Sequence, residues 1–414
     1  MTSPGFEPVA DGSATSPAGF TAAAAAAGLK TGGALDVGLL VSTKPCGTAG
    51  VFTQNQVRAA PVVYDQDYLD ERPGRVRAVA MNARVANACT GAAGLEAASA
   101  MAKAAEEAAG LPPRSALVLS TGVIGVPLPI DKVSAGLREA AGKLSAEGGL
   151  DLARAIMTTD TRPKHCAVTL RLPAGKVTIG GIAKGAGMIH PDLATLLAVL
   201  TTDAELAPSA LAPLLRRVVD RSFNAISIDG DTSTNDTVLC LANGVSGVDP
   251  SRDAAQMAAF EEALLHVART LALAIVRDGE GATRLLEVRV SGAPTAAAAR
   301  EVGRAVARST LVKTAIHGGD PNWGRVLAAA GAAGVPLTVD RLRLDAAPLG
   351  TTDGWVRLAE GGQTAHPDAA RARAVFQAPE ICLRLDLGGG GGEAVVWTCD
   401  LSADYVRINA DYTS

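Results

Sequence analysis

Reactive side chains and flexible backbone coincide most clearly in Lys184-Gly-Ala-Gly-Met-Ile-His-Pro-Asp-Leu-Ala-Thr195, which runs into Leu196-Leu-Ala-Val-Leu-Thr-Thr-Asp203. Two glycines follow the lysine and Pro191 follows His190, so the first half can bend sharply. The apolar second half is too short to span a bilayer and belongs in a core. Thr195 stands at the junction, where a side chain can be held rigidly while its hydroxyl still faces a cleft. A threonine hydroxyl needs a neighbouring base to attack at neutral pH. No serine, histidine and aspartate arrangement suggests itself around it. Breakage of the Ala194–Thr195 bond supplies the base from within, because the released α-amine, with a pKa of about 8, lies beside its own hydroxyl. The small Ala194 leaves the scissile carbonyl open to Thr195 Oγ for an N-to-O acyl shift. The plain alternative is a threonine that caps a helix or packs in the core.

Other polar clusters are spaced along the chain: Asn87-Ala-Cys-Thr-Gly91, Ser120-Thr-Gly-Val-Ile-Gly125, Ile156-Met-Thr-Thr-Asp-Thr161 and Asp229-Gly-Asp-Thr-Ser-Thr-Asn-Asp-Thr237. Asp278-Gly-Glu-Gly-Ala-Thr283, Asp320-Pro-Asn-Trp-Gly-Arg325 and the tail Tyr405-Val-Arg-Ile-Asn409 complete the set. Taken singly they read as caps and turns. The carboxylates of 229–237 do not match a calcium loop, since the glycine and the closing glutamate are misplaced. Lys184 lacks the P-loop pattern around it. The glycine of Thr121-Gly122, at the end of an apolar strand, frees a backbone N–H to point at a ligand.

In this order and over nearly the whole chain, these motifs resemble the glutamate/ornithine N-acetyltransferase family, a self-cleaving family of arginine biosynthesis. The resemblance implies an α/β fold: a layered sandwich of two sheets between helices, with a smaller C-terminal α/β domain. It implies Thr195 as nucleophile after cleavage at Ala194, with the Thr121 hydroxyl and the Gly122 N–H as oxyanion hole. Thr158, Lys184, Thr195, Glu280, Asn409 and Ser414 are implied to bind substrate, Glu280 pairing with the substrate amine. Thr159 is the near neighbour of Thr158 in the same cluster. The family opens the first motif with Asn-Ser-Gly-Asn, where this chain has Asn82-Ala-Arg-Val85, and it often has Ala-Pro-Asn-Met-Ala-Thr where this chain has His190-Pro-Asp-Leu-Ala-Thr195. His190 is read as decoration, not as a base. The expected substrates are N2-acetylornithine and glutamate, with acetyl-CoA as a possible further donor, no cofactor and no metal. The expected assembly is a heterotetramer of two copies of each fragment, 1–194 and 195–414.

Composition narrows the alternatives. Net charge is −4 with the charges interspersed, and aromatics are only 3%, so there is neither a basic footprint nor a stacking platform for nucleic acid. The six cysteines are scattered with no CxxC spacing, which favours reduced thiols over a zinc site or a disulfide frame. With no basic leader and no long apolar run, the default is a cytoplasmic protein without a membrane partner.

The elements that must position the chemistry follow from periodicity. Residues 1–19 read as a loose arm, 20–284 as the main sandwich domain and 285–414 as a C-terminal domain whose tail returns to the site. Strands are expected at 35–43 and 50–53 around a turn at Pro45-Cys-Gly47, and at 75–82, 115–120, 166–172, 176–180 and 224–228. Helices are expected at 94–110, 131–144 (with Asp131 as cap), 150–157, 208–222 and 250–277. Beyond these come a strand at 285–291, a helix at 294–309, a loop at 313–325, and strands at 335–342, 355–358, 381–387 and 394–401. Three rival functions remain at this stage. One is an amidohydrolase or aminopeptidase on the same scaffold, another a related ornithine acetyltransferase of secondary metabolism, and the third an uncleaved structural or binding protein.

Overall fold

The computed structural model describes residues 5–190 and 196–411. In chain order the first half contains β1 (Phe6–Pro8), β2 (Phe20–Ala25), β3 (Val37–Phe52), α1 (Ala60–Glu71), β4 (Val76–Asn82), α2 (Gly91–Ala108) and β5 (Ala116–Ser120). It continues with α3 (Ile130–Ala141), α4 (Gly149–Ala155), β6 (Lys164–Leu172) and β7 (Gly175–Lys184). After residue 195 come β8 (Leu197–Thr202), α5 (Pro208–Asp220), β9 (Ile226–Ser227), β10 (Thr237–Ala242), α6 (Ala254–Arg277) and β11 (Leu285–Ala293). The last stretch holds α7 (Ala296–Arg308), α8 (Thr310–Gly318), α9 (Trp323–Gly331), β12 (Arg343–Pro348), β13 (Val356–Glu360) and β14 (Gln363–Thr364). It closes with α10 (Ala369–Phe376), β15 (Glu380–Asp386), β16 (Gly392–Cys399) and α11 (Ala403–Asp411).

One sheet runs β1-β6-β7-β8-β10-β3-β4-β5, with β2 also paired to β3. The long β3 serves both ends of it: residues 37–42 pair with β2 and residues 47–52 with β10, with a register shift between Val41 and Cys46 on the β4 side. Strand alternation then builds a sandwich. Val79 and Met81 of β4 pack in one core with Leu197 and Val199 of β8 and with Leu239 and Leu241 of β10. On the opposite faces, Ala78 and Ala80 meet α2 and α3 residues such as Met101 and Leu137. Ala198, Leu200 and Val238 likewise meet Leu214 of α5 and Leu271 of α6. The order helix, sheet, sheet, helix is a layered α/β sandwich. The second sheet, β14-β13-β12-β15-β11-β16-β9, packs one face on α7 to α10 around Val288, Val302, Phe376 and Leu383.

Several expected elements differ. The arm is docked where the structure describes it: Phe6–Pro8 pairs with Leu170–Val168, the Val9 N–H donates to Ala167 O, and Thr201 Oγ1 donates to Ala14 O at 2.7 Å. Phe6, Glu7 and Pro8 add a strand at a sheet edge, a pairing that composition does not reveal. The two strands expected at 35–43 and 50–53 are one strand, since the Pro-Cys-Gly segment makes a bulge and not a turn. Residues 313–325 are mostly helical, with Ser309 capping α8 and Asn322 capping α9. The strand expected at 335–342 is a short 3-10 turn, and the strand itself begins at Arg343. Asp131 lies in the first turn of α3 and does not cap it. Residues 60–71 and 369–376, given no element from the sequence, form α1 and α10.

Candidate active site

Chain ends from both layers of the sandwich converge on one narrow cavity. It is lined by Thr121, Gly122 and Ile124 after β5, by Thr158 and Thr159 after α4, and by Lys184 at the end of β7 with Gly187 and Met188 just beyond. Ser233, Thr234 and Asn235 from the loop before β10, Glu280 after α6 and Asn409 on α11 complete the wall. The residues expected to bind or stabilise substrate, Thr121, Gly122, Thr158, Lys184, Glu280 and Asn409, therefore lie together although they are spread over 289 positions, from 121 to 409. Thr195, Ala194 and Ser414 fall outside the described residues. Leu196, next to Thr195 in the chain, is described; its N–H donates to Asp236 Oδ1 at 2.7 Å.

Gly122 has φ 136°, and a Cβ there would come within 2.1 Å of the Arg84 carbonyl carbon. Only glycine permits this approach. The Gly122 N–H makes no hydrogen bond among the described residues, whereas the neighbouring Thr121 N–H donates to Asn82 O and the Val123 N–H to Arg84 O. One donor is left unused at the cavity wall between two anchored neighbours. The anchoring is deepened behind it. Asn235 Nδ2 donates to Ala86 O and Ser120 O at 2.7 and 2.9 Å, and Ser120 Oγ donates to Asn82 Oδ1 at 2.7 Å. The 82–87 segment, with its Ala-Arg-Val departure, thus braces the Thr121–Gly122 turn from behind and does not line the cavity.

Lys184 is buried, its Nζ 3.4 Å from Thr121 Oγ1 and 4.0 Å from Asp160 Oδ2. Burial lowers its pKa, Asp160 opposing and nearby Lys164 reinforcing the fall. Asp160 is held from every side: Lys164 Nζ at 2.6 Å, the Gly185 N–H at 2.8 Å and the Thr158 N–H at 3.0 Å. Burial alone would raise its pKa, but Lys184, Lys164 and these hydrogen bonds together bring it down to about 2. Lys164 in turn meets Asp278 at 2.6 Å, so buried charges alternate from Asp278 through Lys164 and Asp160 to Lys184. On the far wall Asn409 Nδ2 donates to Glu280 Oε2 at 2.7 Å. A Cβ on Gly187 would fall 2.4 Å from that same Glu280 oxygen, so the glycine keeps room for the carboxylate.

The cavity thus offers a backbone N–H and a hydroxyl side by side, a buried ammonium, and a carboxylate across from them. That set can orient an amino-acid amide and stabilise charge on its carbonyl oxygen. Among the described residues no three His, Cys, Asp or Glu side chains are gathered to hold a metal ion. No helix among them is long and apolar enough to cross a membrane.

The sequence model of the ArgJ family matches residues 21–414. The chain belongs to the ArgJ family. It is 50% identical over 406 residues to the arginine biosynthesis bifunctional protein ArgJ of Symbiobacterium thermophilum, covering 97% of this chain and 98% of that one. It is 47% identical to the protein of the same name from Parasynechococcus marenigrum, with 97% and 96% covered. Two solved structures are similar: an ArgJ from Bacillus halodurans (38% identity, TM-score 0.42, 45% of this chain and 96% of that one) and ornithine acetyltransferase of Mycobacterium tuberculosis complexed with ornithine (40%, 0.42, 45% and 98%).

Within this ArgJ family member the sequence left some cavity residues without a role. Ile124, Gly187, Met188, Ser233, Thr234 and Asn235 line the wall, and Asp160 and Asp236 act behind it. The signal for Ser233 to Asp236 was present as a dense polar loop. For Asp160 it was hidden inside a cluster that reads as a turn. His190 meets Ser227 Oγ at 3.1 Å and is absent from the cavity wall.

Proposed function

We propose that this chain is a self-processing acetyltransferase that moves the acetyl group of N2-acetylornithine to glutamate through an acetyl-threonine ester. One observation carries it: the unused Gly122 N–H, Thr121, Lys184 and Glu280 line one cavity. Thr195, with its α-amine freed by cleavage after Ala194, passes its hydroxyl proton to that amine while Oγ attacks the acetyl carbonyl. Thr121 and Gly122 take the oxyanion, where one lost donor costs on the order of 3 kcal/mol. Collapse breaks the amide bond, the proton on the α-amine goes to the leaving nitrogen, and ornithine departs. The amine of glutamate then attacks the ester and restores the free Thr195 hydroxyl. Glu280, braced by Asn409, pairs with the ornithine side-chain ammonium, Thr158 contacts the substrate's polar backbone, and Lys184 holds its carboxylate. Ser414 is a further substrate contact implied by the family resemblance.

Acetyl-CoA as a second donor, in keeping with the bifunctional name of the relatives, belongs to the same proposal, as do two copies of each fragment in the particle and a cytoplasmic location. The deciding assay follows acetyl exchange between acetylornithine and glutamate in wild type and Thr195→Ala. The expected result is exchange in the wild type only, together with fragments of 194 and 220 residues on a denaturing gel. Equal exchange by the variant, or acetate released without an acceptor in place of exchange, would overturn it.

A further inference from the structure

Lys164 lines no wall of the cavity, yet it sits at the centre of the buried charges behind it. Its Nζ lies 2.6 Å from Asp160 Oδ1 and 2.6 Å from Asp278 Oδ2. In the sheet register Lys164 pairs with Ala183, so strand alternation sends its side chain to the opposite face from that of Lys184. On the Ala183 face α6 packs and ends at Asp278; from the other, Lys184 reaches the cavity. One carboxylate therefore serves two lysines, and unequally. Asp160 Oδ1 accepts from Lys164 and the Gly185 N–H, and Oδ2 from the Thr158 N–H. Lys184 is left 4.0 Å from Oδ2, with Thr121 Oγ1 at 3.4 Å as its one hydrogen-bond acceptor among the described residues. These are long contacts for an ammonium, whose charge-assisted hydrogen bonds run at about 2.7–2.9 Å. A buried cation with spare donors calls for an anion to complete it.

We propose that Lys164 is a positioning residue for Lys184: by holding Asp160 at short range, it keeps that carboxylate from closing on the Lys184 ammonium, which stays free for the substrate carboxylate. The inference rests on the carboxylate contact assigned to Lys184 above. Asp278 anchors Lys164 in turn, and is itself held by the Thr161 N–H at 3.0 Å and by the Thr161 hydroxyl. The sign of the effect separates positioning from plain repulsion. Burial, and with it the like charge of Lys164, lowers the Lys184 pKa. If repulsion were all, loss of Lys164 would leave Lys184 more firmly protonated and carboxylate binding unchanged or tighter. If Lys164 positions, its loss lets Asp160 and Lys184 close into a direct pair, and carboxylate binding weakens.

Two variants of the full chain test this. Lys164→Met keeps an apolar stem and removes the charge. The double variant Lys164→Met/Asp278→Asn removes one charge of each sign and takes its place if K164M does not fold. A crystal structure of the variant reads the Asp160–Lys184 distance, expected to shorten from 4.0 Å to about 3 Å. Calorimetric titration with ornithine is expected to give a Kd about ten-fold above that of wild type. In the exchange assay the loss should fall on KM for acetylornithine, about ten-fold, with kcat within about two-fold. An ornithine Kd within about two-fold of wild type, or a tighter one, would overturn the proposal, as would a fall in kcat at unchanged KM. So would a distance still near 4.0 Å, even with weaker binding, since that marks a merely structural effect. If the wild type binds no ornithine, the carboxylate contact of Lys184 fails on its own, and the distance in the variant still decides whether Lys164 holds Asp160 away.

Discussion

A buried lysine at a cavity wall is stable as an ammonium only beside a reliable negative charge, and Asp160 is that charge. Its pKa of about 2 lies below the ordinary 3.8, so its contribution to stability is complete above 3.8 and fades as pH falls toward 2. Asp160→Asn leaves Lys164 and Lys184 with less compensation and should cost roughly 3 kcal/mol at neutral pH. The difference from wild type should shrink between pH 4 and pH 2, and thermal melts across that range measure it. A D160N protein as stable as wild type at pH 7 would remove Asp160 from this role. Such a residue is hard to find in the sequence. Thr121, Gly122 and Glu280 stand in glycine-marked motifs whose chemistry is local. Asp160 has a meaning only through Lys164, at the start of β6, and Gly185, just past the end of β7, and Thr158-Thr-Asp-Thr161 looks like a turn until those strands are in place.

Among elements, α11 is the one whose attachment is almost wholly polar. None of its described residues is buried, and it is tied down by Tyr405 Oη to Asp229 at 3.2 Å and Asn409 to Glu280 at 2.7 Å, with Ser402 Oγ to Gly281 O at 2.6 Å just before it. An element with few buried apolar contacts opens at low cost, a property suited to a wall that must admit substrate. Asn409→Ala removes the brace on Glu280 and should raise KM for acetylornithine about ten-fold while leaving the extent of self-cleavage unchanged. Steady-state kinetics and a denaturing gel on the same preparation test both halves; an unchanged KM would detach the tail from binding. The sequence pointed to the tail's return only through its motif, since charged terminal residues alone suggest fraying. Elements with clear periodicity, such as α6, β4 and β15, were legible to within a few residues. The misjudged ones have shared causes. Pro45-Cys-Gly47 resembles a turn but makes a bulge, and α8 and α9 are short helices whose caps, Ser309 and Asn322, sit among loop-like residues.

For the whole molecule, the proposed point of cleavage and the strand order together decide what would happen to the two fragments. Strands β8 and β10 belong to residues 195–414, yet they lie between β7 and β3 of residues 1–194. Six residue pairs join β7 to β8, from Ile179–Thr202 to Lys184–Leu197, and six more join β10 to β3, from Thr237–Phe52 to Ala242–Gly47. The cores are shared in the same way: Ile179 and Val168 pack with Leu214 and Leu271, while Met81 and Leu117 pack with Val199 and Leu239. Parting the fragments exposes these apolar faces and two strand edges at once, a cost that scales with buried area and far exceeds what one cut peptide bond releases. The fragments should therefore coelute from a sizing column in native buffer in equal amounts, with activity in the joint peak, and separate only in strong denaturant. Fragments that part in native buffer would mean that the bond breaks elsewhere or that cleavage unfolds the sheet. The same interleaving explains why the cavity draws on both stretches: Thr121, Gly122 and Lys184 come from residues 1–194, and Glu280 and Asn409 from residues 195–414.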